Sequence, residues 1–390
     1  MRVASRFASI LVLLFATLAL LGTTWNVLED GSGDAPTINA AMDLAEAGDT
    51  VLVWPGQYPA PLPGHRMATD VHLVSQGGPD VTAITADGSA LLGSGTSITT
   101  LLDGFKFQGV GPLYGYVGVV QLWGDHEIRN CVFEDLAVSN KGAALSVGGS
   151  AHIHDSVFRE VSGHQPFTET TTGVRIDGNH DVIIENCRFE LNSGAPYGGI
   201  LALYGNVEVR NCEFVGLYDG AYAVGARGES NSLIVEDCLF LGAAASPQSG
   251  VQAQLGNSAA IRGNTFVGFQ GPGTRALHTS ADVATIERNV FFGNTVAVRV
   301  AGGTPTFACN VLWNNATDWV GIEDQTGMNG NVVADPIFCD PANHVYQVAE
   351  NSPCLPQNSN GCGLIGAFGQ GCGAISVETR SWSAIKSLYR

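Results

Sequence analysis

Five ionisable residues in the middle of the chain could together perform acid–base chemistry. They are Asp125, His126, His154, His180 and Asp181. Imidazole and carboxylate groups exchange protons near neutral pH when they lie within hydrogen-bond reach of each other. Each of the five stands next to a short apolar run, so a repeating fold would place them on neighbouring turns of the chain. These positions also suit an ordinary polar turn before a strand, which is the commoner role.

Two further features concern metal ions. His152 and His154 flank Ile153, and alternating histidines on one strand face suit either a metal pair or a solvated strand. The acidic composition is compatible with Ca²⁺, but no repeat carries a Ca²⁺-loop template. We therefore predict neither a metal site nor a cofactor.

Aromatic residues form a third candidate set, because exposed rings stack on sugar rings. The set comprises Trp123, Tyr197, Tyr204 and Tyr222. Packing at turns and coil edges is the alternative role for each of them.

A repeat must position all of these residues. Segments such as Ile128–Phe133, Ile184–Phe189, Val209–Phe214 and Val235–Phe240 share the pattern Ile/Val-x-Asn/Asp-Cys-x-Phe. From Phe133 to Phe291 the steps between the phenylalanines are 25, 31, 25, 26, 26 and 25 residues. A unit of this length cannot bury its own apolar face, so neighbouring units must stack. Short alternating runs separated by Gly, Asn and Asp predict two or three strands per unit, as in one coil of a parallel β-helix.

The repeat also predicts what each column of side chains does. The Ile/Val, Cys and Phe columns share inward parity, whereas Asn or Asp before the Cys marks a bend, where stacked amides can bond from coil to coil. The column that alternates in charge from Glu185 to Glu287 should form an outward ladder. The five cysteines upstream of Cys339 are expected to be reduced and inert.

Composition limits the partners. The chain of 390 residues carries 18 Lys+Arg against 36 Asp+Glu, a formal net charge of −18. This balance argues against nucleic acid and, more weakly, against anionic polysaccharide. With 45% hydrophobic residues the chain can bury a large core.

The two ends differ from the repeats. Arg2 and Arg6 precede an apolar run from Ala8 to Leu21, which predicts a secretory signal over residues 1–24 and no membrane span in the mature chain. A helix over Ala35–Ala47, with Asp34 as its N-cap, is predicted to close the N-terminal end of the solenoid.

The opening sequence carries a resemblance. Asp30-Gly-Ser-Gly-Asp34, the short helix and Gly48-Asp-Thr-Val-Leu-Val-Trp-Pro-Gly-Gln-Tyr58 resemble the start of secreted bacterial right-handed parallel β-helix proteins of the pectate-lyase-like superfamily. The resemblance covers roughly residues 25–370. Together with the repeats it leads us to expect an all-β, right-handed parallel β-helix of about ten coils. We divide the chain into a β-helix with its N-terminal cap (25–335), a Cys-rich C-terminal cap (336–373) and a tail (374–390). The tail is either a sorting or attachment signal or a segment that is disordered or packs on the cap.

The C-terminal segment resembles the closing segment of such proteins. Cys339, Cys354, Cys362 and Cys372 suggest two disulfides in an exported chain. Three pairings are open, of which we favour Cys339–Cys354 with Cys362–Cys372.

The superfamily contains lyases, hydrolases, esterases, epimerases and non-catalytic surface proteins, so the resemblance does not fix an activity. Trp123-Gly-Asp-His126 resembles a lyase motif, but the companion arginine and aspartate patterns are absent. We therefore expect a non-catalytic secreted or cell-surface protein that binds extracellular or envelope glycan or mediates adhesion. The alternatives are a uronate lyase or glycoside hydrolase acting around Asp125 to Asp181, and a purely structural envelope module.

Overall fold

The computed structural model describes residues 22–60, 66–67, 70–87, 91–94, 100–110, 118–139, 142–164, 171–216, 222–228, 232–242, 249–254, 256 and 258–375. Residues 1–21 of the expected signal and most of the expected tail lie outside this part. Three long parallel sheets wind around one core and form a β-helix.

Sheet A has twelve strands, so the solenoid has about twelve turns rather than ten. Its strands are Thr24–Val27, Thr50–Val53, His72–Ser75, Thr100–Asp103, His126–Arg129, Ala151–His154, Asp181–Glu185, Asn206–Arg210, Ser232–Glu236, Ser258–Arg262, Val283–Glu287 and Thr304–Ala308.

Sheet B follows sheet A in each coil across a tight turn. Its strands are Gly56–Pro59, Thr82–Asp87, Lys106–Val110, Val132–Ser139, Val157–Arg159, Arg188–Glu190, Glu213–Val215, Leu239–Leu241, Thr265–Val267, Val290–Phe292, Val311–Trp313 and Val332–Val333, and Ser162–His164 pairs with the end of Val132–Ser139.

Sheet C completes the coil. Its strands are Arg66–Met67, Leu91–Ser94, Val120–Trp123, Leu145–Val147, Val174–Ile176, Tyr197–Ala202, Tyr222–Ala226, Ser249–Ala253, Arg275–Thr279, Val296–Val300 and Thr317–Val320.

The predicted columns are present. Successive phenylalanines are directly paired in sheet B, and their rings stack with centroids 4.7–5.0 Å apart from Phe107 to Phe291. Cys131, Cys187, Cys212 and Cys238 are buried and reduced. The charge ladder is also confirmed, since Glu236 contacts Arg210 at 3.5 Å and Arg262 at 3.1 Å.

The tight turn and the amide ladder occupy neighbouring columns. Asn130, Asn186 and Asn211 adopt left-handed backbone angles with φ of 50–53°. The coil-to-coil amide bonds lie one residue later, in the buried column that holds cysteines in earlier coils. There Asn264, Asn289, Asn310 and Asn331 bond in series at 2.8–3.0 Å.

The N-terminal helix is shorter than predicted and spans Ile38–Leu44. Thr37, not Asp34, is its N-cap, because the Thr37 hydroxyl accepts from Ala40 N at 3.1 Å. Asp34 instead accepts from the backbone and side chain of Asn26. The helix buries Ile38, Ala41 and Met42 over the end of the core, and no helix in the described part of the chain could cross a membrane.

The C-terminal segment corrects the predicted disulfides. The bonds are Cys309–Cys362 and Cys339–Cys372, while Cys354 is a buried free thiol. Cys309 was expected to be inert, but it lies in the turn column, outside the buried cysteine column, with φ of 57°. The segment contains its own sheet D (Phe338–Asp340, Val345–Ala349 and Gln370–Cys372) and a 3-10 helix, Pro341–Asn343.

Candidate functional site: the outer face of sheet C

The five predicted acid–base residues do not share one surface. His126 faces the interior in the same column as Ala151 and is 5% exposed. Burial lowers its pKa, although the Trp123 backbone and Asp125 oppose this shift. His154 faces outward at the far end of its strand, whereas His180 and Asp181 are exposed at the start of the next strand of sheet A. A joint catalytic role for the five has no geometric support here.

His154 belongs to a different group, on the outer face of sheet A. Its Nε2 lies 3.2 Å from Glu127 Oε1 and its Nδ1 lies 2.7 Å from Asp155 Oδ2, while His152 Nε2 lies 2.8 Å from Glu185 Oε1. Burial disfavours the charged imidazole, but Asp155 and Glu127 outweigh it and raise the pKa of His154. The two histidines thus bond to carboxylates on opposite neighbouring strands, and no group of three or more such donors among the described residues is arranged to hold a metal ion.

Two of the predicted aromatics present large surfaces. Trp123 is 47% exposed and Tyr204 52% exposed. The Trp123 ring lies over Gly148 on the adjacent coil, where any side chain larger than glycine would collide with it. Trp123 is the last residue of its strand in sheet C, and Tyr204 lies two residues after the end of its strand, so both lie at the carboxyl edge of this sheet.

The other two aromatics are packed. Tyr197 is 3% exposed, lies over Gly225, and donates its hydroxyl to Gln252 Oε1 at 3.2 Å. Its ring is 5.6 Å from that of the half-buried Tyr222. The packing alternative therefore describes Tyr197, whose ring leaves no face for a ligand.

Sequence reasoning missed Arg275 and His278, which form a basic group with Arg299 on this same face. In adjacent coils Gln252 pairs with His278, and His278 pairs with Arg299, so the three side chains form one outward row. Arg275 lies three residues before His278 on the same strand. The signal was available in the strand Arg275–Thr279, where His278 falls between the buried Leu277 and Thr279 and must point outward.

The electrostatics of this group differ from those elsewhere on the solenoid. Neither ring nitrogen of His278 has a hydrogen-bond partner among the described residues. Burial, reinforced by Arg275 and Arg299, lowers the pKa of His278 to about 4. The imidazole is therefore neutral at pH 7 between two guanidinium groups.

Arginines on the other two faces are neutralised by carboxylates. These are Arg129, Arg159, Arg188, Arg210 and Arg262. Arg175 on sheet C is similarly held by Asp177, at 2.8 and 2.9 Å. Arg275 and Arg299 have no described carboxylate at ion-pair distance, so they leave positive charge uncompensated. The group can accept a carboxylate or sulfate anion.

Comparisons with known proteins give a family and a set of folds. A family model described as "Right handed beta helix region" matches residues 90–266 and 145–315. No curated protein matches the chain.

The solved structures similar to the chain include the PL6 family alginate lyase AlyGC (13% identity, 81% of this chain and 54% of that chain covered, TM-score 0.43). They also include pectate lyase Pel9A, with 14% identity, 90% of this chain and 96% of that chain covered, and a TM-score of 0.42. The A-module of the mannuronan C-5 epimerase AlgE6 of Azotobacter vinelandii has 17% identity, with 77% of this chain and 94% of that chain covered, and a TM-score of 0.34. The chain thus spans about half the length of AlyGC. The parallel sheets, the stacked columns and the family match, which covers more than half of the chain, show that this protein belongs to the right-handed β-helix family.

Proposed function

We propose that the protein binds acidic glycan on the outer face of sheet C, at Arg275, His278 and Arg299, as a secreted or cell-surface protein. The observation that carries the proposal is the pair Arg275 and Arg299 beside His278, without a described carboxylate partner, in a chain of net charge −18. The net charge alone argued weakly against an anionic ligand. A local excess of positive charge outweighs it, because screening confines the field of distant carboxylates to about 8–10 Å.

The surroundings of the arginines suit a linear saccharide. The amide nitrogen of Gln252 lies beside His278 in the row, while its oxygen accepts from Tyr197. The exposed Tyr204 lies four coils from Arg299, roughly 19 Å along the axis at the spacing of adjacent strands, and three residues beyond Leu201, which is in register with Arg299. An extended chain that crosses the sheet obliquely, shifting about 10 Å sideways over those four coils, would stack on the ring and place its acidic groups over the arginines.

The proposal is for binding without turnover, because the row offers cations and a neutral imidazole rather than the paired carboxylates of a glycoside hydrolase. A lyase or hydrolase remains the competing function. It would reveal itself as unsaturated or shortened products from the same oligosaccharides.

Binding is tested by calorimetry with an oligogalacturonate and with a neutral oligogalactoside of equal length. The double variant Arg275→Gln/Arg299→Gln should lose at least about tenfold in affinity for the acidic ligand, since a charge-assisted hydrogen bond contributes about 1.5–3 kcal/mol. Arg188→Gln is the matched control, because Arg188 pairs with Glu190 and Glu213 on sheet B. Equal affinity of the double variant and the wild type would refute the site, and equal affinity for the neutral ligand would refute the acidic class.

A further inference from the structure

The outer face of sheet B changes character along the solenoid. In earlier coils its outward residues include many charged side chains joined by ion pairs, as in Lys106–Glu134 and Arg188–Glu190. From the coil of Leu239 onward they are mostly apolar. The apolar members are Leu239, Leu241, Val267, Val290, Phe292 and Val311.

Residues 335–375, here called the strap, cover this apolar stretch. Phe338, Tyr346, Leu355 and Ile365 of the strap form a buried cluster with it, and Phe338 meets Phe292 edge to face at 5.4 Å. The strap therefore runs back along the side of the solenoid instead of closing only its end.

Few directional bonds hold the strap to the coils beneath it. Sheet D is hydrogen-bonded within the strap and does not extend any sheet of the solenoid. Among the described residues, the hydrogen bonds from strap to earlier coils run from Gly366 N to Arg288 O at 2.7 Å and from Ala367 N to Thr265 Oγ1 at 3.0 Å. The rest of the attachment is apolar packing and the Cys309–Cys362 disulfide.

The two disulfides have different roles. Cys309–Cys362 joins the strap to a turn of the solenoid, whereas both cysteines of Cys339–Cys372 belong to the strap. All four are partly exposed, so a reductant can reach them. The free thiol of Cys354, in contrast, is 0% exposed and lies in the cluster between strap and solenoid.

We propose that the strap is a redox-controlled clamp: reduction of Cys309–Cys362 lets residues 335–375 lift from sheet B while the β-helix stays folded. The step transfers two electrons and two protons from a dithiol, which closes to its own disulfide, and the Cys309–Cys362 bond becomes two thiols. Lifting exposes the apolar stretch and Cys354 together. Because the solenoid keeps its inter-strand bonds and stacked core, it does not need the strap to remain folded.

Cys354 reports the opening directly. Burial raises the pKa of its thiol to about 12, and release into water would restore thiolate character and reactivity. The thiols of Cys187, Cys212 and Cys238 are matched controls, since they are buried in the solenoid core. They should react only when the β-helix itself unfolds.

The test is alkylation with iodoacetamide under native conditions, followed by mass spectrometry of each cysteine. In the double variant Cys309→Ser/Cys362→Ser, the labelling rate of Cys354 should rise at least about tenfold over that of the oxidised wild type, and the core thiols should stay unlabelled. Cys339→Ser/Cys372→Ser should raise it less, because the clamp to the solenoid remains.

Three results would overturn the proposal. If Cys354 is labelled no faster in Cys309→Ser/Cys362→Ser than in the wild type, packing alone holds the strap. Simultaneous labelling of Cys354 and the core thiols would show global unfolding instead of strap release. Equal labelling rates of Cys354 in the two double variants would show that Cys309–Cys362 does not control strap release more than Cys339–Cys372 does.

Discussion

The rings of Phe158 and Phe189 stack at 4.8 Å with an interplanar angle of 5°, although 31 residues separate them. The neighbouring pair Phe189–Phe214 stacks at 4.9 Å across the usual 25 residues. Five of the six extra residues of the longer coil lie before sheet C and one lies between sheets C and A, and the core register is unchanged. The repeat is defined by its buried column and not by its length.

Truncation within this column should be costly. Phe189 is 0% exposed and packs between two rings, so Phe189→Ala should lower the free energy of unfolding by about 3–5 kcal/mol through lost transfer energy and a residual cavity. Urea denaturation followed by circular dichroism measures the change. Tyr204→Ala, at a site 52% exposed, should change stability by less than about 0.5 kcal/mol. A similar effect at both positions would contradict the stacked-core account.

The tight turn between sheets A and B makes a different prediction. Asn186 has φ of 53°, and Gly263 occupies the equivalent turn three coils later with φ of 64°. Asn186→Gly should therefore be tolerated, while Asn186→Ala should cost about 1 kcal/mol or more, because an L side chain with a Cβ disfavours this region and alanine lacks the local hydrogen bonds of asparagine. Thermal denaturation of both variants measures the difference. An alanine variant as stable as the glycine variant would contradict the role assigned to the left-handed backbone at this turn.

The sequence predicts the columns well because the residue pattern of one coil recurs in each following coil. Phe189 repeats a rule that all seven segments from Phe133 to Phe291 share, and Asn186 and Glu236 each repeat a rule that five of these segments share. The disulfides lack this redundancy. Cys309 pairs with Cys362 because the strap folds back past the last coils, and no local pattern specifies that path. His278 was missed for a related reason: its strand is short and its column mixes glutamine, histidine and arginine.

The stability of the fold should vary with pH through the ionisation of His154. Its raised pKa means that its ion pairs stabilise the fold below the ordinary histidine value of 6.5, and that this contribution is lost as pH rises through the higher folded-state pKa. Asp155→Asn removes one carboxylate partner while keeping a residue suited to the left-handed φ of 51° at this turn. NMR titration should then show a lower pKa for His154, and the extra stability at pH 6 relative to pH 8 should shrink by roughly 0.5–1 kcal/mol. An unchanged titration curve would show that Asp155 does not hold the imidazole.

The affinity of sheet C for its ligand should also depend on pH, through His278, whose pKa in the free protein is lowered rather than raised. In the free protein its pKa is about 4, so the imidazole is neutral at pH 7. A sulfated oligosaccharide keeps its charge throughout this range, and a bound sulfate would favour the protonated imidazole and raise the pKa of His278 in the complex. By linkage, affinity should increase as pH falls from 7 towards 5, by up to about tenfold for each unit by which the ligand raises that pKa. Calorimetry at several pH values measures the slope, and His278→Asn should flatten it while Arg275 and Arg299 still supply basal affinity. A slope that persists in His278→Asn would assign the titration to another group and remove His278 from the site.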